Sequence, residues 1–249
     1  MSILLTGFLA SLAAGAATGL GAVPLLLVRS VSKRIQNALL GFAAGVMLAA
    51  SFFSLILPAL ETGAGPAVVG AGILLGATCL WALDLLMPHE HFENGRRGPQ
   101  ADSLRRIWLF VIAITLHNIP EGLAVGVGFG TGDTATGYPL AFGIGLQNMP
   151  EGLAVAVALY GVGYSRLKAV GIALATGLVE PLGALVGVIA VSMAAPLLPW
   201  GLAFAAGAMI FVVSNEIIPE THRSGLEKAA SVGLMLGFVI MLYLDVSLS

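Results

Sequence analysis

The sequence predicts an all-α integral membrane protein whose eight transmembrane helices form a 3+2+3 inverted-repeat arrangement, with both termini extracytoplasmic. Of the 249 residues, 58% are hydrophobic and only 10% are charged, whereas soluble domains carry roughly 25% charged residues. Apolar segments recur along the chain, and about 20 residues at ~1.5 Å rise each suffice to cross a ~30 Å hydrocarbon core. The basic residues fall between alternate segments, which fixes the predicted orientation.

The apolar segments divide a single predicted transmembrane domain, residues 1–249, into helices separated by polar or turn-forming residues. The first segment lacks a basic leading region, so we interpret it as a membrane helix rather than a cleaved signal peptide. Each predicted bound carries a margin of a few residues. The predicted helices are about 2–28, 37–60, 66–87, 106–129, 138–160, 167–194, 199–219 and 226–247.

The distribution of lysine and arginine tests this topology independently, because short cytoplasmic loops carry the basic residues of membrane proteins. All eleven lie after the first, third, fifth or seventh predicted helix, and the connections near 61–65, 130–137 and 195–198 contain none. The basic connections are therefore predicted to be cytoplasmic. These residues are Arg29, Lys33, Arg34, Arg96, Arg97, Arg105, Arg106, Arg166, Lys168, Arg223 and Lys228.

The longest connection, about 88–105, is polar and contains His89 and His91. It is predicted to be a cytoplasmic loop, too short to form a domain. Cys79 is the chain's single cysteine and lies in an apolar segment, so disulfide, zinc–thiolate and iron–sulfur frameworks are excluded.

An internal repeat connects the fourth and fifth predicted helices. His117-Asn-Ile-Pro-Glu-Gly-Leu-Ala-Val-Gly-Val returns 30 residues later as Gln147-Asn-Met-Pro-Glu-Gly-Leu-Ala-Val-Ala-Val. Residues 45–61 and 207–220 of the second and seventh helices form a weaker echo. Because the paired helices run in opposite directions, both repeats are predicted to have inverted topology, as in many transporters.

Ionisable and amide side chains converge at mid-membrane depth in this prediction. His117 and Glu121 are spaced i, i+4 and therefore share one helix face. Proline follows in both repeats and frees a backbone carbonyl, which is tolerated in a membrane only beside protein or a wet cavity. The predicted metal-binding residues are His117, Asn118, Glu121, Gln147, Asn148, Glu151 and Glu180.

Carboxylates brought together in a low dielectric repel one another unless cations bind among them. Nitrogen and oxygen ligands without thiolate suit zinc, and also manganese, ferrous iron or cobalt. Other interpretations stay open: the amides of Asn118, Gln147 and Asn148 can simply bridge helices, and Glu180 can accompany a kink at Pro181. We predict no catalytic residue, no bound cofactor and no nucleic-acid partner.

A second polar group lies near the predicted cytoplasmic surface. Glu216 and Glu220 are again spaced i, i+4, and His222 follows them. With His89 and His91 of the neighbouring loop, they form a predicted exit relay for metal, although solvated surface residues would give the same pattern.

At the duplicated motif the sequence resembles the ZIP (Zrt/Irt-like) family of divalent metal transporters, in particular its bacterial GufA-like branch. The resemblance also includes Val179-Glu-Pro-Leu-Gly in the sixth helix and covers essentially the whole chain. It implies import of Zn²⁺ into the cytoplasm through the plasma membrane, here a bacterial inner membrane, with Cd²⁺, Fe²⁺, Mn²⁺ and Co²⁺ as further candidate substrates.

The same resemblance implies a binuclear site. His117, Glu121, Gln147 and Glu151 would bind one metal; a second would use Asn118, Asn148 and Glu180, with Glu121 and Glu151 bridging. It also implies a homodimer, and sliding of helices 1, 4, 5 and 6 against helices 2, 3, 7 and 8. Many relatives carry histidine where Gln147 stands.

Three functions therefore compete: a carrier with alternating access, an intramembrane metalloenzyme, and a channel or an ion-coupled carrier for another solute. The chain has no His-Glu-x-x-His motif and no P-loop, which disfavours the enzyme and excludes ATP as the energy source. The inverted repeat favours the carrier.

Overall fold

The computed structural model describes residues 2–28, 31–86, 100–130, 132, 134–222 and 225–248. Within these residues the chain forms eight long helical segments, α1–α8, several of them interrupted. They are α1 (Ile3–Ala22 and Pro24–Leu27), α2 (Lys33–Ala49, the π-helical Ala50–Ile56, and Leu57–Glu61), α3 (Pro66–Leu86), α4 (Gln100–Gly130), α5 (Thr134–Gly161), α6 (Arg166–Gly177 and Glu180–Met193), α7 (Leu198–Val212, the π-helical Val213–Ile217, and Ile218–His222) and α8 (Glu227–Leu248).

Seven of these segments are long and apolar enough to cross a membrane by length and composition. The remaining segment, α5, has 28 residues, which gives it a length of about 42 Å. Its interior residues include Gln147, Asn148 and Glu151, which lower its hydropathy. The segment that is least apolar is thus one of those that carry the predicted site.

Two bounds differ from the prediction in an informative way. Helix α4 begins at Gln100, so residues 100–105 of the predicted loop are helical; a helix that leaves the apolar layer needs no apolar residues to continue. Helix α6 is broken after Gly177 and restarts at Glu180, with Pro181 in the first turn, where a missing amide hydrogen costs nothing. The rest of the predicted loop, with His89 and His91, lies outside the described residues.

The helices form two groups that also contact each other, through α2 with α5 and α4 with α7. Helices α1, α4, α5 and α6 pack against one another, whereas α2 packs on α8 and α3 on α7. The glycines of the two Pro-Glu-Gly motifs permit close helix contacts: a Cβ atom at Gly122 would overlap the carbonyl oxygen of Glu180, and one at Gly152 the carbonyl oxygen of Thr18. Each motif therefore puts its glutamate beside a helix–helix contact that only glycine allows.

Helices α2 and α7 depart from α geometry at corresponding places. Each contains a π-helical segment, Ala50–Ile56 or Val213–Ile217, that ends shortly before a proline, Pro58 or Pro219. A proline lacks the amide hydrogen that would close the preceding α turn. π turns of this kind occur frequently at functional sites, and here they carry Ser54 and Glu216.

Candidate metal centre

The predicted metal-binding side chains on α4, α5 and α6 are all buried. His117 is 6% exposed and Glu151 is 3% exposed, while the other members of the set are fully buried. Burying so many polar groups in an apolar bundle is unfavourable unless each finds a partner. The hydrogen bonds of these side chains, and the polar atoms that have no partner, therefore indicate which ligand the region can bind. The fully buried members are Asn118, Glu121, Gln147, Asn148 and Glu180.

Gln147 and Glu121 form a direct pair across the α4–α5 contact. The Nε2 amide of Gln147 donates to Oε1 of Glu121. This hydrogen bond fixes the orientation of the amide, because exchanging its nitrogen and oxygen would set two acceptors against each other. The carbonyl Oε1 of Gln147 and the second oxygen of Glu121, Oε2, have no partner.

Asn148 is held by two hydrogen bonds on different helices. Its Nδ2 donates to Oε1 of Glu180 at 2.6 Å and to the backbone oxygen of Ala14 at 2.9 Å. Both amide hydrogens are thus used on acceptors, and the orientation of the amide is again fixed. The Oδ1 of Asn148 and the Oε2 of Glu180 remain without a partner.

Asn118 repeats this arrangement on α4. Its Nδ2 donates to the backbone oxygen of Thr176 at 2.7 Å, and its Oδ1 has no partner. The carbonyl of Thr176 lies where α6 breaks, one residue before the first half of the helix ends at Gly177. The break thereby brings a backbone acceptor to the buried amide.

Five buried oxygen atoms of the predicted set consequently lack a hydrogen-bond donor. A buried polar atom without a partner costs about 1–3 kcal/mol, so five at one site demand an explanation. All five are acceptor oxygens. A cation or its bound water can interact favourably with them, whereas another acceptor cannot. They are Asn118 Oδ1, Glu121 Oε2, Gln147 Oε1, Asn148 Oδ1 and Glu180 Oε2.

The carboxylates also interact through their charges. Glu121 is repelled by both Glu151 and Glu180. Among the described residues, however, no group of three or more His, Cys, Asp or Glu side chains lies close enough together to hold a metal ion. The candidate metal ligands are therefore of mixed type. Glu121 and Glu180 are each hydrogen-bonded to an amide side chain and not to another acid.

His117 faces a residue that the sequence prediction assigned elsewhere. Its Nε2 lies 2.9 Å from Oε1 of Glu216 on α7, and both residues interact electrostatically with Glu151. Glu216 was predicted to belong to the exit relay, but its side chain reaches the edge of the buried site. Glu220 is partly buried one turn further along α7; the side chain of His222, and all of His89 and His91, lie outside what the structure describes.

Helix α1 contributes to the site in a way that sequence reasoning missed. The Ala14 carbonyl binds Asn148, and a Cβ atom at Gly15 would lie 3.4 Å from Oε1 of Glu180. Helix α1 has no ionisable side chain between Ile3 and Ala22, so the only signal available was its spacing of small residues.

A sequence model of the ZIP zinc transporter family matches residues 88–245, which include every residue of the site on α4, α5, α6 and α7. The chain belongs to the ZIP zinc transporter family. Its helices and its membership together make it a multi-pass membrane protein and a transporter rather than an enzyme.

Relatives within the ZIP family match nearly the whole chain. The zinc transporter GufA of Myxococcus xanthus is 50% identical, over 97% of this chain and 98% of the relative. The zinc transporter ZIPB of Bordetella bronchiseptica is 54% identical, over 94% of this chain and 78% of the relative. The human zinc transporter ZIP11 is 37% identical, over 93% and 94% respectively. The resemblance to the ZIP family, and to its GufA-like branch, is thus confirmed.

Proposed function

We propose that this ZIP family member carries zinc ions across the membrane into the cytoplasm by alternating access through the buried site on α4, α5 and α6. The observation that carries the proposal is the set of five buried acceptor oxygens that lack a donor. The amide nitrogens of Asn118, Gln147 and Asn148 donate to protein acceptors, and their amide oxygens have no partner. A cation is the ligand that this pattern suits, and relatives are named zinc transporters.

The proposed ligands divide into two sets. Glu121 and Gln147 are already paired, and His117 and Glu151 complete the first set. Asn118, Asn148 and Glu180 form the second, with Glu121 and Glu151 bridging both. Imidazole, carboxylate and amide oxygens suit Zn²⁺, and by the same chemistry Cd²⁺, Fe²⁺, Mn²⁺ and Co²⁺ are further candidate substrates.

All eight helices cross the membrane in this proposal, within one transporter domain covering residues 1–249 and with both termini extracytoplasmic. Helix α5 is less apolar because its polar residues face the bundle and not lipid: Gln147, Asn148 and Glu151 are all buried. The alternation of basic connections supports the orientation. We further propose that the chain is a homodimer in a bacterial inner membrane, with the inverted 3+2+3 repeat as its internal symmetry.

We infer the direction of access from the edge at which the site is most exposed. The side chain of Glu216 is 22% exposed, against 7% for that of His117, and Glu216 lies close to the predicted cytoplasmic end of α7. A cation leaving the buried ligands would pass this pair and continue toward Glu220, His222, His89 and His91, the proposed exit relay. Movement of the α1, α4, α5 and α6 group against the rest would open the opposite end.

Zinc uptake into proteoliposomes containing the purified protein tests the proposal. The parent is compared with a Glu121→Ala, Glu151→Ala double variant and with Glu227→Gln, a control that removes one acid from the first turn of α8. We expect saturable uptake that the double variant loses and the control retains, with thermal stability in detergent verifying that each variant is folded.

Trans-stimulation separates a carrier from a channel. Zinc loaded inside the vesicles should accelerate uptake of labelled zinc through a carrier, because the loaded site returns faster than the empty one. Uptake that never saturates, or that internal zinc does not accelerate, would favour a channel. Absence of flux for zinc, cadmium, iron, manganese and cobalt would refute the proposed function.

A further inference from the structure

Two hydroxyl groups on α1 stand apart from the other hydroxyls of the helices. Serine and threonine inside a helix usually bond back to a carbonyl three or four residues earlier. Nine side chains among the described residues do so, whereas the Oγ of Ser11 and the Oγ1 of Thr18 are buried and have no partner. The nine are Thr6, Ser51, Thr62, Thr115, Thr176, Ser192, Ser214, Thr221 and Ser231.

The site itself deprives Thr18 of its usual partner. Four residues before Thr18 lies Ala14, whose carbonyl oxygen accepts a hydrogen bond from Nδ2 of Asn148. The hydroxyl of Thr18 does not bond to that carbonyl and is only 1% exposed. The hydroxyl of Thr18, which can both donate and accept a hydrogen bond, therefore lies beside the site and makes neither kind of bond.

Ser11, Ala14, Gly15 and Thr18 lie on one face of α1, because their spacing is i, i+3, i+4 and i+7. This face meets the second proposed ligand set: Ala14 contacts Asn148, and Gly15 lies next to Glu180. Ser11 precedes these contacts by one turn and Thr18 follows them by one turn. The two hydroxyls thus span about 10 Å along the helix axis, on either side of the Asn148–Glu180 pair.

Thr18 also lies where three helices meet. The backbone oxygen of Thr18 packs against Gly152 of α5, and its hydroxyl packs against Gly177 of α6. A Cβ atom at either glycine would overlap Thr18. Gly152 follows the ligand Glu151, and Gly177 ends the first half of α6 before the break that precedes Glu180. The hydroxyl therefore lies next to the sequence neighbours of two proposed ligands.

We propose that Ser11 and Thr18 bind the water shell of the cation as it passes the Asn148–Glu180 pair, so that α1 forms a hydrated wall of the transport path. This inference rests on the proposed function. Neutral hydroxyls are weaker zinc ligands than the imidazole and carboxylates of the proposed site. They are good partners for water, and a buried water needs two to four polar partners. Because Ser11 and Thr18 lie about 10 Å apart, each would bind a different water, and Asn148 Oδ1 and Glu180 Oε2 are further acceptors without a donor.

The first test compares zinc uptake by Thr18→Val and Ser11→Ala, which remove the hydroxyls, with Thr18→Ser, which restores one. Thr115→Val is the matched control, since the hydroxyl of Thr115 bonds back to Val111 at 2.7 Å. We expect kcat/KM to fall about fivefold in each hydroxyl-free variant, the size of one net hydrogen bond, and to stay at the parent's value in Thr18→Ser and Thr115→Val. Equal uptake by Thr18→Val and the parent would overturn the inference.

The second test reads hydration without transport. Thr18→Cys and Thr115→Cys are made in a Cys79→Ala background, and each thiol is exposed to a charged methanethiosulfonate reagent in liposomes. We expect the Thr18→Cys protein to react with the reagent, and we expect zinc to slow that reaction. The Thr115→Cys protein should stay unreacted. An unreactive thiol at position 18 would overturn the inference. If the parent protein takes up no metal, the proposed function is refuted. The labelling result then tests by itself whether water reaches position 18 on α1.

Discussion

The Nε2 of His117 and the Oε1 of Glu216 lie 2.9 Å apart, and this contact joins α4 of one helix group to α7 of the other. Both side chains also interact with the charge of Glu151. A proposed ligand on the group that carries the buried site is thus engaged by a carboxylate on the opposing group. The relative movement proposed for transport would break this contact, and a cation bound at His117 as proposed would compete with it.

Replacing Glu216 by glutamine should slow transport. The change retains the shape of the side chain but removes the charge that α7 offers to His117 and to the departing cation. We expect the initial rate of zinc uptake to fall about tenfold, as for loss of a charge-assisted hydrogen bond. Glu227→Gln removes the same charge from α8 and should leave the rate unchanged. An unaltered rate in Glu216→Gln would show that the contact is incidental.

Gly122→Ala should destabilise the protein, because the added methyl group would overlap the Glu180 carbonyl oxygen. Overpacking of this kind costs about 1–3 kcal/mol. Gly171→Ala on α6 is the control, since a Cβ atom there meets nothing within 4 Å and alanine gains up to about 1 kcal/mol in a helix interior. Thermal unfolding in detergent should place Gly122→Ala below the parent and Gly171→Ala at or above it; the reverse order would contradict the close helix contact.

Asn148→Asp should make stability depend on metal. Aspartate sets acceptors against Glu180 and the Ala14 carbonyl, where asparagine donates to both. We expect a lower unfolding temperature without zinc and a larger upward shift on adding zinc than in the parent. Asn37→Asp is matched, because Asn37 is also buried and donates to a backbone oxygen, that of Thr221, at 3.0 Å. Zinc should not rescue Asn37→Asp, and equal rescue of both variants would argue against a cation at Asn148.

Acidification should weaken zinc binding. As the proposed ligands, the imidazole of His117 and the carboxylates of Glu121 and Glu180 would bind metal only when deprotonated, so protons should compete with zinc and be released when it binds. Calorimetric titrations at about pH 7.5 and about pH 5.5, each in two buffers of different ionisation enthalpy, measure both affinity and proton release. We expect weaker binding at the lower pH. Affinity that does not change with pH would exclude these groups as ligands.

The sequence predicted the helices and the buried set because both rest on local periodicity. The spacing of His117 and Glu121 reports which residues share a face of one helix, and the Pro-Glu-Gly repeat indicates which two helices belong together. Pro181 marked the irregularity in α6. Each of these signals is contained in one segment or in a comparison of two segments.

What the sequence could not predict depends on contacts between distant segments. The approach of Glu216 to His117 requires the rotation of α7 about its axis, which the π-helical Val213–Ile217 alters. The acceptors at Ala14 and Thr176 are backbone carbonyl oxygens, which every residue type has, so the sequence could not identify them. The start of α4 at Gln100 was missed because hydropathy reports the membrane layer and not the length of the helix.

A π turn contains one residue more than an α helix of the same rise, so Val213–Ile217 and Ala50–Ile56 behave as insertions that α7 and α2 have absorbed without losing their length across the bundle. Deleting one residue there would restore regular α geometry, because a π turn with one extra residue covers nearly the rotation and rise of the α turn that replaces it. Glu220 and Thr221, beyond the segment, would keep nearly their present faces, whereas Glu216 inside it would be displaced. A one-residue deletion in either segment should therefore change the positions of Ser54 or Glu216 while leaving the packing of the rest of the helix nearly intact.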